Sequence, residues 1–243
     1  GKDIKTSEVY DENDPYVNRD LRLYASIFLP PLGSYSGTKY NDIIYDCFKG
    51  ANTADSYNKF TLFNGYCPKK GCDPSIINNL GSTPTYTPIM RYAEVLLSYL
   101  EALNESQPSA IDQDILDLTI NDIRNRVKLT DIKKADVPTQ ELVREAIRKE
   151  RRVELAFEGL RYYDVLRWEI AEKELNHTFT GVKLSDDPNA RNYRGSGTAA
   201  SPVDENMYYQ FEKRTWSSHN RYFPIPQNDL NVNKNLKQNT GYN

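Results

Sequence analysis

Sulfur and imidazole are scarce in this sequence, and long apolar runs are absent. Its 243 residues include three cysteines, two methionines, two tryptophans and two histidines, His177 and His219. Neither histidine has a neighbouring partner for acid–base or nucleophilic work, and no GxSxG string occurs. Further ligands for a zinc site beside the cysteines are missing. No stretch reaches the ~18–20 consecutive apolar residues of a spanning helix, and a mean hydropathy of -0.72 rules out a polytopic membrane protein. Neither charge sign prevails: 31 basic and 34 acidic residues leave a net charge of -3. No broad phosphate-binding field follows, which disfavours a nucleic-acid reader. A glycosidase-like carboxylate pair needs no sequence proximity, but acidic residues are too common for that alternative to carry weight.

The chain opens at Gly1-Lys2-Asp3 without Met or an apolar leader and reads as a mature or truncated form. In Cys67-Pro68-Lys69-Lys70-Gly71-Cys72, Pro and Gly favour a turn that brings two sulfurs together. A small disulfide loop and two free thiols are both open, and the disulfide reading points to an oxidising compartment.

Tyrosine, by contrast, is abundant, with 18 against eight Phe. The length suits one large domain or two small ones. Residues 1–87 read as irregular, broken by Pro15, Pro30, Pro31, Pro68, Pro74 and Pro84. So long a loop region is either functional or packed against something this chain lacks. Within it Leu21, Leu23, Ala25, Ile27 and Leu29 alternate as in a half-buried strand. Residues 88–175 read as a helical core. Ile89, Tyr92, Ala93, Leu96, Leu100 and Leu103 form one stripe, and Leu116, Ile120, Ile123 and Val127 a second, so an αα-hairpin is expected. A third helix after Pro138, capped by Asp136 or Thr139, is expected to bury Leu142, Ala146, Val153, Phe157 and Leu160. A further segment, Arg161–Leu175, turns Val165, Leu166 and Trp168 inward. Residues 176–243 read as loop-rich, with Phe223-Pro224-Ile225-Pro226 held extended by its prolines. The fold class is mainly α with long irregular loops.

Three patterns invite chemistry. Glu150, Glu154 and Glu158 at i, i+4, i+8 share a helical face, as a metal or acid–base site would. Arg148, Arg151, Arg152, Arg161 and Arg167 surround them, which favours an ion-pair lattice. Gly195-Ser196-Gly197-Thr198-Ala199-Ala200 has the letters of a dinucleotide motif, but no strand feeds it and Ser201-Pro202 follows, so it reads as a loop. No metal and no cofactor are expected. The tyrosines divide by position. Tyr92, Tyr99, Tyr162 and Tyr163 fall in helices, where packing accounts for them, and the others lie in or beside loops. Loop aromatics offer an apolar face and a polar edge that match sugar rings, and Asn41, Asp42, Asn52, Asp55 and Asn58 stand beside Tyr35, Tyr40, Tyr45 and Tyr57. The plainer alternative is that each such tyrosine pins its loop to the core.

Several strings occur together in order. They are Asn18-Arg19-Asp20-Leu21-Arg22-Leu23, then Arg91-Tyr92-Ala93-Glu94-Val95-Leu96-Leu97 running to Glu101-Ala102-Leu103-Asn104-Glu105, and Ile123-Arg124-Asn125-Arg126. Next comes Ile147 through Gly159 (IRKERRVELAFEG) with Arg161-Tyr162-Tyr163-Asp164 and Arg167-Trp168. Phe223-Pro224-Ile225-Pro226 and the stretch from Asn235 to Tyr242 (NLKQNTGY) close the series. Together they resemble the C-terminal half of the SusD/RagB family, outer-membrane nutrient-binding lipoproteins of Bacteroidetes.

That resemblance implies a SusD-like α-α superhelix, a tetratricopeptide-like scaffold with long loops, with residues 1–243 as one C-terminal domain. It implies binding of an oligosaccharide, or in some members a peptide, without enzymatic chemistry, at the cell surface of the outer membrane. It also implies delivery to a SusC-like TonB-dependent transporter. The lipidated cysteine that anchors the family, and most of its N-terminal helical repeats, are expected to lie outside this chain. Family ligand sites draw on loop aromatics between the Asn-Arg-Asp region and the Arg-Tyr-Ala-Glu helix. The candidate ligand residues are therefore Tyr35, Tyr40, Asn41, Asp42, Tyr45 and Tyr57, with Trp216 from a polar loop as an outside candidate. A structural adaptor that only docks the transporter is the alternative.

Overall fold

A computed structural model of the protein describes residues 7–40, 43–48, 64–72 and 89–242. The first element departs from the alternating pattern: Leu21–Ser26 is a helix, α1, and only Ile27–Phe28 is a strand, β1. A cap decides this. Asp20 Oδ1 accepts the backbone N–H of Arg22 at 3.0 Å, which starts a helical turn, and α1 then buries Arg22 and Ser26 at i, i+4 spacing. β1 pairs antiparallel with β4 (Cys67–Pro68), and β2 (Lys39–Tyr40) pairs with β3 (Ile43–Ile44). Cys67 and Cys72 carry thiols rather than a disulfide.

The helical core comprises α2 (Tyr92–Ser106), α3 (Gln113–Leu116), α4 (Asp122–Arg126) and α5 (Gln140–Glu154). α3 and α4 are halves of one helix joined by a π-helical turn, Asp117–Asn121. They enclose Leu96, Leu97, Leu100, Leu116, Ile120, Ile123, Val143 and Ile147. The Leu116, Ile120, Ile123, Val127 stripe is buried as its period predicts. The α2 stripe is borne out at Ala93, Leu96, Leu100 and Leu103 and fails at its start, whereas the α5 stripe is rotated. α2 turns Leu96, Leu97, Leu100 and Asn104 inward and leaves Ile89 and Tyr92 exposed. α5 buries Val143 and Ile147 rather than Leu142, and then Glu150, Arg151 and Glu154; Phe157 lies beyond its end, exposed. Thr139 caps α5, its Oγ1 accepting from Leu142 N at 3.3 Å.

Buried amides complete the core. Asn121 Nδ2 donates to Asp117 Oδ1 at 2.6 Å and to Ile132 O at 3.0 Å, while its Oδ1 accepts from Ile132 N at 2.7 Å. Gln113 Nε2 donates to Ile132 O at 3.2 Å, and Gln113 Oε1 accepts from Lys134 N at 2.8 Å. In the link between α4 and α5, Ile132 N and O and Lys134 N are thus satisfied by side chains, as peptide groups away from water require.

Two short helices, α6 (Arg161–Arg167) and α7 (Ala171–Leu175), follow. Only Val165 of the expected inward trio is fully buried. The loop-rich reading of the remainder misses an antiparallel hairpin, β5 (Thr178–Lys183) with β6 (Tyr208–Lys213). Its Val182 and Leu184 form a second small core with Cys47. Gly181 permits this approach, because a Cβ there would overlap the Asn64 carbonyl that accepts from Val182 N at 2.9 Å. Gly197–Ala199 is one 3-10 turn, with no strand–turn–helix unit. Phe223–Pro226 is extended and leads into α8 (Gln227–Val232). Gln238 bonds both backbone groups of Ile225, at 2.8 and 2.9 Å. Among the described residues no helix is long and apolar enough to cross a membrane.

Ile147→Ala is expected to destabilise the protein by about 2–5 kcal/mol. Asn121→Ala should cost about 1–3 kcal/mol by leaving Ile132 backbone groups unpaired, whereas Leu142→Ala on the exposed side should stay within about 0.5 kcal/mol. Urea unfolding followed by circular dichroism ranks the three, and equal effects of Ile147→Ala and Leu142→Ala would refute the assigned face of α5.

Candidate functional site

The tyrosine-bearing segment is tied to the helices by charge. On α5 the carboxylates of Glu150 and Glu154 are 4% and 2% exposed. Arg22 Nη1 donates to Glu150 at 2.5 Å and to Glu154 at 2.9 Å. Arg124 Nη1 reaches Glu150 at 3.0 Å, and Arg91 and Arg126 reach Glu154 at 2.7 and 2.6 Å. Glu158 is not on this helical face: the chain leaves α5 after Glu154, and Phe157 turns it with a φ of 65°. Glu158 still joins the cluster, accepting from Arg91 Nε at 2.7 Å and from Lys70 Nζ at 2.5 Å.

The ion-pair lattice therefore exists, but with partners other than the neighbouring arginines. Arg151 pairs with Asp164 at 3.1 Å, Arg161 with Glu174 at 2.6 Å, and Arg167 with Glu101 at 2.5 Å. Arg148 and Arg167 lie over the Trp168 ring, 5.0 and 4.8 Å from its centroid. Trp168, expected in the core, is only partly buried and donates its indole N–H to Glu101 at 2.6 Å. Burial pushes the Glu158 carboxyl up, but hydrogen bonds from Arg91 and Lys70 outweigh it and hold the group below its ordinary value of 4.5. Burial likewise opposes the charge on Arg22, and Asp20 and Glu150 more than restore it, so its pKa is raised.

Arg22 and Lys70 flank the tyrosines, and the segment they anchor is knit by aromatic contacts. Tyr16, 3% exposed, meets Tyr35 edge-on at 5.9 Å and Tyr66 at 6.3 Å, while Tyr24 stacks on Tyr35 at 5.9 Å. The hydroxyls are committed as well. Tyr16 and Tyr66 share a hydrogen bond of 3.2 Å, Tyr24 donates to Tyr16 O at 2.6 Å, and Tyr45 donates to Gly65 O at 2.8 Å. Burial pushes the Tyr66 hydroxyl up to about 12 and raises that of Tyr16 as well. At the edge Glu12 accepts from Tyr10 at 3.1 Å, and from Tyr208 and Lys183 at 3.0 Å each.

Of the candidate ligand residues, Tyr35 and Tyr45 are thus partly buried packing elements, the first beside Thr38 and the second against Phe28 and the Cys47 core. Tyr40 ends β2, paired with Ile43. Asn41, Asp42 and Tyr57 lie outside the described residues. Trp216 rests on a different support: Asn176 bonds its backbone N and O at 2.5 and 3.0 Å. Its buried indole N–H has no partner among the described residues. The helical tyrosines invert the expectation, because Tyr92, Tyr99 and Tyr163 are exposed where packing was to hide them. Tyr16, Tyr24 and Tyr66, which no spacing argument singled out, carry the aromatic cluster. An open cavity of about 410 Å³ lies at α2 and α4, but its Arg91 and Arg126 are already bound to Glu154. Among the described residues no group of three or more His, Cys, Asp or Glu is placed to hold a metal ion.

Comparison with known proteins agrees with the resemblance read from the strings. The model of the SusD family matches residues 1–242. The chain belongs to the SusD family. A SusD-like carbohydrate binding protein from Bacteroides fragilis superposes with a TM-score of 0.78 at 32% identity, covering 96% of this chain and 44% of that one. A second SusD-like protein from the same organism gives a TM-score of 0.67 at 28% identity, covering 96% and 41%. SusD-like protein P2 of Formosa agariphila is 36% identical over 117 residues, 46% of this chain and 22% of its own length. The SusD-family chain therefore spans less than half the length of each of these relatives.

Replacing Glu154 by Gln should cost about 3–5 kcal/mol, since Arg126 then loses its counter-charge and Arg22 and Arg91 each lose one of theirs in a buried cluster. Because the folded pKa of Glu158 is depressed, its contribution is fully present above the ordinary value of 4.5 and is lost as pH falls through the depressed one. Glu158→Gln should accordingly flatten the acid limb of a stability–pH profile measured by urea unfolding. An unchanged limb would count against the Arg91 and Lys70 pairing.

Proposed function

We propose that this chain belongs to the glycan-binding apparatus of a surface-exposed outer-membrane lipoprotein, which takes up an oligosaccharide and passes it, without chemistry, to a SusC-like TonB-dependent transporter. The observation that carries this reading is the likeness, over 96% of the chain, to a SusD-like carbohydrate binding protein. The helical layer of α2, α3–α4 and α5 is read as part of a tetratricopeptide-like α-α superhelix. The β2–β3 hairpin supports a ligand site at Tyr40, Asn41 and Asp42, because it stands on a segment whose own tyrosines are already committed to packing. Tyr57 completes the set by sequence position. Tyr35 and Tyr45 act as packing supports of the segment, and Trp216 is read as a second aromatic platform. Aromatic faces beside amide and carboxylate groups suit the C–H faces and hydroxyls of a sugar.

Isothermal titration with a panel of oligosaccharides tests the proposal. Saturable binding without product is expected, and Tyr40→Ala should weaken it about 2- to 10-fold, the equivalent of about 0.5–1.5 kcal/mol of aromatic contact. Tyr35→Phe, which keeps the ring, should bind normally. Binding of peptides alone would replace the sugar reading, and co-purification of a transporter with no ligand at all would favour an adaptor.

A further inference from the structure

We propose that Cys67 and Cys72 are the two halves of an exchangeable disulfide that closes and stiffens the 67–72 turn, which Lys70 ties to the end of α5. The thiols already converge on one atom: Cys67 Sγ lies 3.7 Å and Cys72 Sγ 3.9 Å from the Pro68 carbonyl oxygen. The backbone between them is held on both flanks. Cys67 sits opposite Phe28 in the β1–β4 pair, the N–H groups of Lys69 and Lys70 donate to Ser26 O at 2.8 and 3.2 Å, and Cys72 N–H closes the turn on Lys69 O at 2.9 Å. Gly71 takes the left-handed φ of 84° at the bend, in open space. The lysine side chains draw the same turn inward. Lys69 Nζ donates to Tyr24 O at 3.0 Å, and Lys70 Nζ to Glu154 O at 2.8 Å as well as to Glu158. Both sulfurs thus sit on one short turn whose flanking backbone is held by hydrogen bonds.

Exposure sets the order of events. Cys72 is exposed and Cys67 partly so, whereas Cys47 is 1% exposed in the second core. With a small-molecule disulfide such as oxidised glutathione as oxidant, the Cys72 thiolate attacks one glutathione sulfur and expels a glutathione thiolate. The Cys67 thiolate then attacks the Cys72 sulfur of the mixed disulfide and expels the second. Two protein thiols are oxidised to one disulfide, and one glutathione disulfide is reduced to two glutathione thiols. The ring so formed encloses Lys70 and restrains the turn from which it reaches Glu154 and Glu158.

The test treats the folded protein with oxidised glutathione and then counts thiols after denaturation. The expected result is a fall from the three thiols of the sequence to one, on Cys47, with the mass of two lost hydrogens and no glutathione adduct. Trypsin cuts after Lys69 and Lys70, so the fragments bearing Cys67 and Cys72 should stay joined until reduced. The oxidised protein should also unfold at a higher urea midpoint than the reduced one, a difference that the Cys67→Ser/Cys72→Ser double variant abolishes. Stable glutathione adducts, a Cys47-linked product, or an unchanged count would overturn the disulfide. A joined pair with an unshifted urea midpoint would overturn the stiffening of the turn.

Discussion

Two carboxylates that never reach water, Glu150 and Glu154 on α5, set the terms for the rest of the molecule. An ionised carboxylate removed from water costs several kcal/mol unless opposing charge and hydrogen bonds surround it. A single arginine cannot supply that for two acids, and the chain recruits four, Arg22, Arg91, Arg124 and Arg126. These come from α1, from the approach to α2 and from α4, so satisfying the acids forces those segments together. The hydrophobic core packs α2 against α5, but the charge cluster is what brings the irregular first segment onto them.

Once that segment is held, its tyrosines serve mainly as struts. A buried tyrosine needs a partner for its hydroxyl, and Tyr16, Tyr24, Tyr45 and Tyr66 find theirs in one another and in backbone carbonyls. Tyr45 and Tyr66 also pack against the small core of Cys47, Val182 and Leu184, which ties the segment to the β5–β6 hairpin. The proposed site at the β2–β3 hairpin lies in this same segment.

Legibility in the sequence followed the range of the forces. The Leu116, Ile120, Ile123, Val127 stripe was readable because helical period alone decides it. The α2 stripe was readable for the same reason from Ala93 onward, but the face of α5 was not, since Glu150 and Glu154 had to face distant arginines and rotated Leu142 outward. The acids on α5 announced a lattice, yet Arg22 and Arg91 are far along the chain, and i, i+4 reasoning reaches only neighbours. The alternation at Leu21–Leu29 was genuine but lost to the Asp20 cap and the pull on Arg22. The β5–β6 hairpin was hidden because irregular register between Phe179 and Lys183 breaks its period of two. For the site, the region was legible through tyrosine density. Which tyrosines are struts was not, because that depends on pairings such as Tyr16 with Tyr66.

The contact between Arg22 and Glu150 joins residues 128 positions apart. Closing so long a loop loses chain entropy before it returns any contact, and the guanidinium has nothing to close upon until α5 exists as a helix presenting both acids. Assembly of the molecule is therefore ordered by its own geometry: the helices of the core come first, and the tyrosine segment docks afterwards onto a finished surface. Amide protection during refolding is expected to arrive in α5 ahead of α1. The segment proposed to meet ligand would then become native after α5 and let go before it.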